Sequence, residues 1–463
     1  MPGSNPGANA GHRHIEGPWL RFNFFQRMML RWRELHAYNP VHVVRVPVAL
    51  EPERLRRGIA EQLEALGLTG LHVDRARWRY RYAGGPAEVE LAVLAGGDDP
   101  LAVLARAIES EINRPFAPSP HENPFRFFAV DERGAFRLAV VYDHYVAGGD
   151  SIARVLTGLA CDCARFGAAP APAPAPMATA TATATASPAE NYRSMLLSHP
   201  GRVVRCLTDL PRVIASARRA CRVPYVRVED AGNEYTYLHV DTARTRRLRG
   251  LAKDWGVTMN DLLMACLLRA LSPLAQRRHS EPRRNQLAVA SILNMRRDFR
   301  PEMGDAMNPF LGAFRVSHTV PDGIGLRQLA CDVQLQTARI KRHHLYLQSL
   351  MALGLSALLW PLLTPLQRHG FYPKHFAVWA GITTLDLNPI WERAAREGTA
   401  RLDYLRAVPT GPLCPLVLAV TLAHDELHLA FTWRTSAFSR EDIAAVAADL
   451  LRDVDSSKAG TLP

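Results

Sequence analysis

The sequence is poor in lysine and lacks the short motifs that mark several large enzyme classes. Its 463 residues contain 4 lysines and 52 arginines, and the arginines are scattered rather than gathered in runs. Nucleic-acid-binding chains more often carry lysine runs or a basic arm, so we expect no nucleic-acid partner. No strand pattern leads into a serine nucleophile elbow, a phosphate-binding P-loop or a glycine-rich dinucleotide motif. The sequence therefore does not point to these common chemistries.

Cysteine is also scarce and shows no pairing pattern. The seven cysteines form neither a CxxC pair nor a regular framework, which favours a reducing compartment. Residues 1–19 contain no apolar core of a secretory signal, so we expect a cytoplasmic protein. The stretch HDELH, residues 424–428, resembles a zinc-protease helix only superficially, because its flanks predict strands with a turn between them. We predict no metal here and no bound cofactor elsewhere.

The net charge of +12 allows two interpretations. One is a solvated basic face on an arginine-rich chain. The other is an electropositive surface for an anionic partner, such as an acidic carrier protein, coenzyme A or an anionic lipid.

A proline-, alanine- and threonine-rich stretch divides the chain. Residues 168–190 show no hydrophobic periodicity, which predicts an extended linker. A chain of 463 residues is also too long for one ordinary core. We predict an N-terminal half at residues 1–167 and a C-terminal half at residues 191–463.

Both halves alternate strand and helix patterns. Val41–Leu50 predicts a strand, and Glu51–Gly67 predicts a helix with one apolar face. Phe125–His144 predicts two strands joined by a tight turn, and Leu416–Thr435 predicts a second hairpin. We expect an α/β fold with mixed sheets and helices.

One uncharged apolar stretch, Ser349–Leu366, lies between basic flanks. Its length approaches that of a membrane span, but Pro361 and Pro365 should break its second half. A buried core helix, an interfacial helix and a true span all remain open as interpretations. The interfacial interpretation would place the protein at a membrane, close to lipid-like molecules.

His144 follows an apolar strand pattern and precedes two glycines and a helix start, in VVYDHYVAGGDS. Ligands in α/β proteins bind at the carboxyl ends of strands, and histidine exchanges protons near neutral pH. The residues alone leave two interpretations open, a catalytic base and a hydrogen-bonded structural histidine.

These residues resemble the chloramphenicol-acetyltransferase-like superfamily, which includes nonribosomal-peptide condensation domains, plant BAHD acyltransferases, wax-ester/diacylglycerol acyltransferases and polyketide-associated acyltransferases. Its HHxxxDG motif aligns its second, catalytic histidine with His144 and its closing glycine with Gly149. Asp143 replaces the first histidine, and Gly148 replaces the aspartate. Four further segments resemble family segments in the same order: Asn113–His144, Gly256–Leu271, Ser291–Gly312 and Trp379–Leu387.

The resemblance implies two similar α/β halves with a tunnel between them and His144 at its middle. It implies a coenzyme A or acyl-carrier-protein thioester as co-substrate and a hydroxyl or amine as acceptor. His144 would take the acceptor's proton and return it to the leaving thiolate. By position, Asn308, Thr383 or Thr384 would stabilise the oxyanion. The apolar stretch favours a lipid-like acceptor.

Two departures from the motif bear on this expectation. The family aspartate pairs with an arginine and shapes the histidine loop. With Gly148 in its place, Asp150 can reach Arg296 or Arg297 instead, or cap the next helix.

Asp143, at the first motif position, can orient His144 or face away from it. The departures keep a second hypothesis open, a catalytically silent homologue that binds a lipid, an acyl chain or a carrier protein. A third hypothesis is a peptide condensation enzyme that acts in trans.

Overall fold

The computed structural model describes residues 17–117, 121–164, 196–278, 281–296, 307–319, 323–394 and 403–456. The strands are β1 (Leu20–Arg21), β2 (Val41–Val46), β3 (Leu71–Asp74), β4 (Arg79–Tyr82), β5 (Leu91–Ala95), β6 (His121–Glu122), β7 (Phe125–Glu132), β8 (Ala135–Tyr142), β9 (Asn233–Val240), β10 (Gln286–Asn294), β11 (Leu311–Thr319), β12 (Ala380–Asp386), β13 (Tyr404–Ala407), β14 (Leu416–Ala423) and β15 (Glu426–Arg434). The helices are α1 (Phe24–Arg33), α2 (Pro52–Ala65), α3 (Pro100–Asn113), α4 (Gly149–Ala164), α5 (Pro200–Arg219), α6 (Thr242–Asp254), α7 (Met259–Arg278), α8 (Leu326–Arg342), α9 (Leu347–Leu359), α10 (Pro365–His375), α11 (Asn388–Ala394) and α12 (Arg440–Ser456).

Two mixed sheets carry the fold, as predicted. The five-stranded sheet has the order β13-β2-β8-β7-β5, in which β5 and β7 are parallel and the other neighbours antiparallel. The six-stranded sheet has the order β11-β10-β12-β14-β15-β9, with β12 parallel to both of its neighbours. A small antiparallel sheet, β1-β4-β3-β6, lies in the N-terminal half.

One strand crosses from the C-terminal half into the N-terminal sheet. Tyr404–Ala407 pairs antiparallel with β2 and forms an edge of the five-stranded sheet. The sequence pattern did not predict this strand, because four residues are too short to show a clear alternation. The proposed linker, residues 168–190, lies outside the described residues, so the division at the linker stays a prediction.

A buried hairpin brings the chain to His144. Strands β7 and β8 pair along their whole length, and the turn between them contains Gly134 with φ +76°. Glycine adopts this left-handed conformation without the steric cost of a Cβ. Every residue of β8 is buried, so the strand delivers residue 143 to the middle of the molecule.

The two large sheets share an apolar core. Val41 and Val43 of β2 belong to the same buried cluster as Val417 and Ala430 of the six-stranded sheet. Burying a valine side chain contributes about 1.5–3 kcal/mol, so this core holds the two sheets together.

The apolar stretch has a core side and an exposed side. Helix α9 ends at Leu359, a 3₁₀ turn follows at Trp360–Leu362, and α10 begins at Pro365, so the prolines break the stretch as expected. Leu350 and Leu353 are buried. The exposed leucines are Leu355, Leu358, Leu359, Leu362 and Leu366.

No single helix in the described ranges combines the length and apolarity that a membrane crossing requires. Two bent helix pairs meet both criteria together, and one of them is α8 with Leu347–Leu362.

Candidate active site

The loop that carries His144 is anchored by backbone hydrogen bonds from three other segments. The His144 N–H donates to the Tyr38 carbonyl at 3.3 Å, and the Asp143 N–H donates to the Pro124 carbonyl at 3.0 Å. The Gly148 N–H donates to the Met307 carbonyl, in the C-terminal half, at 2.9 Å. The loop is therefore held by both halves of the molecule.

His144 keeps only 8 % of its accessible surface, and its ring lies between two tyrosines. Its centroid is 5.1 Å from that of Tyr38 and 5.9 Å from that of Tyr142. Among the described residues, no group makes a hydrogen bond of good geometry to its Nδ1. Burial lowers the pKa of His144 to about 4, partly offset by the nearby backbone of Ala147. The ring is thus neutral at pH 7, the form that accepts a proton.

Asp143 faces an arginine from helix α1. Its carboxylate forms a buried ion pair with Arg33, which also binds Glu122 at 2.9 Å. The Tyr145 hydroxyl donates to the same Glu122 carboxylate. Asp143 therefore belongs to this cluster of acidic and basic side chains, which corresponds to the second role considered for it, facing away from His144. Burial raises the pKa of Asp143 to about 6 despite the opposing effect of Arg33.

Asp150 forms an ion pair with Arg296 across the two halves. Arg296 also donates to the Ser151 hydroxyl at 2.8 Å and to the Asn308 carbonyl at 2.9 Å, and only 2 % of its side chain is exposed. The Asn294 amide donates to Asp150 at 3.0 Å. The structure thus contains an aspartate–arginine pair two positions after the expected one. Arg297, the other candidate partner, lies outside the described residues.

Gly148 lies directly against the Asp150–Arg296 pair. A Cβ atom at this position would lie 2.7 Å from Nη2 of Arg296 and 3.1 Å from Oδ1 of Asp150. The guanidinium therefore occupies the space into which a motif aspartate would extend. The missing Cβ at Gly148 therefore leaves room for the Asp150–Arg296 pair.

Gly149, the closing motif glycine, begins helix α4. A Cβ there would meet only ordinary contacts, the nearest being Cε1 of His42 at 3.5 Å and Nη1 of Arg406 at 3.7 Å. These two side chains therefore lie beside the start of the helix that follows His144.

Sequence reasoning missed His42 and Arg406, which face each other across β2 and β13. Arg406 donates to the carbonyls of Thr383 at 2.7 Å and Val420 at 2.9 Å. His42 contacts the Tyr404 hydroxyl at 2.6 Å through Nδ1.

Burial is the main cause of a lowered pKa at both His42 and Arg406. It lowers the pKa of Arg406 to about 10. The arginine charge in turn lowers the pKa of His42 and His144. The available signal was a polar residue placed among apolar neighbours, His42 in VHVVRV and Arg406 in YLRA, because a buried charge needs partners.

The predicted oxyanion donors occupy different surroundings. Asn308 is buried, and its side-chain oxygen accepts a hydrogen bond from the Tyr80 hydroxyl at 2.9 Å. Thr383 reaches the site through its carbonyl, which Arg406 binds, whereas Thr384 is exposed on β12. Of the three predicted donors, Asn308 is the one linked to the loop that carries His144, because Arg296 binds both its carbonyl and Asp150.

Two surface cavities lie elsewhere. One of about 200 Å³ is lined by Val48, Leu55 and Cys163, and one of about 330 Å³ by Arg249, Trp391 and His424. Neither is lined by His144, so the predicted tunnel is not one of these two cavities.

Comparison with known proteins places the fold. The first condensation domain of the CDA synthetase is 13% identical to this chain, with a TM-score of 0.65, and the match covers 96% of this chain and 98% of that chain. The EpoB NRPS cyclization-docking bidomain from Sorangium cellulosum is 13% identical, with a TM-score of 0.63 and coverage of 96% of this chain and 85% of that chain. The teicoplanin X-domain solved with OxyB is 17% identical, with a TM-score of 0.57 and coverage of 98% of this chain and 95% of that chain.

The chain has the condensation-domain fold. This likeness matches the superfamily that the motif suggested and extends over nearly the whole chain. No family model matches the sequence, and no curated protein does. The identities are low, so the condensation-domain fold is what the comparisons establish.

Proposed function

We propose that the chain transfers an acyl group from a thioester to a hydroxyl or amine, with His144 as general base. The observation that carries the proposal is a neutral, buried imidazole on the β8–α4 loop of a condensation-domain fold. This is where the motif resemblance puts the catalytic histidine. The Asp150–Arg296 pair and the Met307 carbonyl hold that loop in place.

The reaction moves one proton in and out of His144. The acceptor's O–H or N–H proton passes to the imidazole as its oxygen or nitrogen attacks the thioester carbonyl carbon. The tetrahedral oxyanion then collapses, the C–S bond breaks, and the imidazolium returns the proton to the thiolate. The products are an ester or amide and a free thiol. We assign the oxyanion donor to the Asn308 amide, because its side-chain oxygen already accepts from Tyr80 and leaves the N–H groups to donate.

The donor in this proposal is an acyl carrier protein or coenzyme A. Both are anionic, and a net charge of +12 favours their approach. Among these donors we favour the carrier protein, because the fold is shared with condensation domains of peptide synthetases.

The test measures free thiol released from carrier-protein and coenzyme A thioesters, with and without mixed alcohols and amines. His144→Ala should lower the acceptor-dependent rate by about 10²–10⁴-fold, since that is the usual contribution of a general base. His36→Ala is the matched control, because its ring also packs on Tyr38, at 6.1 Å, but from another loop. Equal turnover by wild type and His144→Ala would refute the mechanism.

We further propose a lipid-like acceptor taken from a membrane surface. The support is the exposed leucine face of α9 and the following turn, where Leu358 is 75 % and Leu362 79 % exposed. Such a face can lie in the headgroup region of a bilayer.

Sedimentation with phosphatidylserine vesicles tests this contact. Leu358→Glu/Leu362→Glu should bind at least about tenfold more weakly, because each buried leucine contributes about 1.5–3 kcal/mol. Leu335→Glu, at a leucine of α8 that is 66 % exposed, serves as control. Equal binding by the two variants would remove the membrane from the proposal.

A second candidate is a binding protein without chemistry. The replacement of two motif positions by Asp143 and Gly148 favours it, and the teicoplanin X-domain was solved in complex with OxyB. It predicts saturable binding of an acylated carrier protein, without thiol release, that His144→Ala leaves unchanged. Release that requires an aminoacyl acceptor on a second carrier would instead indicate peptide condensation in trans.

A further inference from the structure

The β14–β15 hairpin and the edge strand β9 bring three metal-binding side chains together. Glu426 and His428 are two residues apart on β15, so both point to the same face of the sheet. His239 of β9 is the direct cross-strand partner of His428. Strand pairing alone therefore groups two imidazoles and one carboxylate.

The distances suit one divalent cation. One ligand atom of each side chain lies within 4.8 Å of the other two. His239 Nε2 is 3.0 Å from Glu426 Oε2, and the two ring centroids are 5.0 Å apart. Ligand atoms at about 2.1 Å from a tetrahedral zinc ion are about 3.4 Å from one another, so small side-chain rotations complete the site.

A neighbouring hydroxyl holds one of the ligands. The Thr242 hydroxyl donates to the other Glu426 oxygen at 3.3 Å. Asp403 Oδ1 lies 3.5 Å from Nε2 of His428 without a hydrogen bond of good geometry, and Arg137 binds the other oxygen of that carboxylate at 2.7 Å.

The other ring nitrogen of His428 is the clearest sign of a missing partner. The residue is 6 % exposed, and in the described part of the chain nothing hydrogen-bonds its buried Nδ1. A buried polar atom without a partner is destabilising, and a coordinated cation would supply that partner.

We propose that His239, Glu426 and His428 bind one zinc ion. Two histidines and one glutamate form a known zinc donor set that leaves a fourth position for water. The side chains of His239 and Glu426 are 46 % and 43 % exposed, so an ion can reach them from solvent. Zinc here would clamp β9 to β15 at the free edge of the six-stranded sheet.

This site differs from the zinc-protease motif rejected from the sequence. The chain forms a hairpin at HDELH, as predicted, and not a helix. His424, the first histidine of that motif, lies in the turn at φ +57°, and its ring packs against Trp391. The ligand from β9 was invisible in the sequence, because strand pairing supplies it.

Calorimetric titration of chelator-treated, full-length protein with Zn²⁺ tests the proposal. Wild type should bind one ion per chain, and both His239→Ala and His428→Ala should weaken binding at least about tenfold. The exposed His239 keeps the test valid if the buried His428→Ala variant does not fold.

His318→Ala is the matched control. His318 lies on β11 of the same sheet, and its Nε2 is 3.3 Å from a carboxylate oxygen of Asp332. Among the described residues it belongs to no group of three possible metal ligands. His424→Ala should also bind normally. Absence of binding by wild type, or unchanged affinity in His239→Ala, would overturn the site. Neither outcome depends on the acyl-transfer proposal, since no activity is measured.

Discussion

Asp143 and Asp150 stand on either side of His144, and each pairs with an arginine, but the two pairs do different work. Asp143 and Arg33 both belong to the N-terminal half, where Arg33 also neutralises Glu122. Asp150 reaches Arg296 in the C-terminal half. One pair fixes the start of the loop locally, and the other fixes its end against the opposite sheet.

The pairs also differ in their exposure to water. The side chains of Arg33 and Asp143 are 5 % and 3 % exposed, whereas that of Asp150 is 25 % exposed. Water can therefore partly solvate Asp150 when its arginine is removed, but it cannot reach Asp143. The difference predicts unequal costs for breaking the two pairs.

The largest effect should come from Arg33→Ala. It leaves the Asp143 carboxylate buried without its cation and leaves Glu122 with only the more distant Arg75, so the free energy of unfolding should fall by about 3–5 kcal/mol. Urea unfolding followed by circular dichroism measures it. Arg75→Ala removes only a 37 % exposed arginine, 3.9 Å from Glu122, and should cost about 0–1 kcal/mol. Equal losses in the free energy of unfolding would show that the burial of Arg33 does not make it more important for stability than Arg75.

An intermediate effect should come from the linked positions 148 and 150. Gly148→Asp forces a Cβ against Arg296 and should lower the free energy of unfolding by about 1–3 kcal/mol. Gly148→Asp/Asp150→Gly returns a single aspartate to the motif position, so part of that loss should be recovered.

The double-mutant cycle is completed by Asp150→Gly alone, with urea unfolding as the measurement. Gly149→Ala is the neighbouring control, since its Cβ meets only ordinary contacts and should change stability little. If the losses in free energy of unfolding were strictly additive, positions 148 and 150 would be energetically independent, and the displaced-aspartate interpretation would be refuted.

The smallest effect is a change in how stability depends on pH. The folded-state pKa of His144 is about 4 against an ordinary 6.5, so its contribution is present above about pH 6.5 and lost as the pH falls towards 4. The folded-state pKa of Asp143 is about 6 against an ordinary 3.8, so its contribution is present below about pH 4 and lost as the pH rises to 6.

The two substitutions should therefore move the pH slope in opposite directions between pH 4 and 6. His144→Ala should make stability rise less steeply with pH, and Asp143→Asn should make it rise more steeply. Each change is at most about 1.4 kcal/mol per pH unit, the value for one proton. Unfolding curves at four pH values measure the slopes. A shift of both slopes in the same direction would contradict the opposed titrations.

Local patterns predicted much of this molecule. The β7–β8 hairpin, the turn at Asp425 and the break at Pro361 follow from alternation, turn residues and proline geometry, which act within a few residues. The motif resemblance placed His144 at the end of β8 and made Arg296 a candidate partner of Asp150.

What escaped prediction depends on distant pairing. Three side chains contact partners that lie far away in the sequence, on other strands or helices: Arg33, Arg406 and His239. No residue spacing along the chain predicts these contacts. Gly148 looked like a defect in the motif until the position of the Arg296 guanidinium gave it a steric reason.

The strand Tyr404–Ala407 has a consequence for how the protein is made. Because it pairs with β2, the outer edge of β2 stays unpaired during translation until residue 407 has left the ribosome. An open strand edge invites pairing with other chains. The N-terminal half produced alone should therefore need a chaperone, whereas a chain cut between the halves after folding should still elute as one particle.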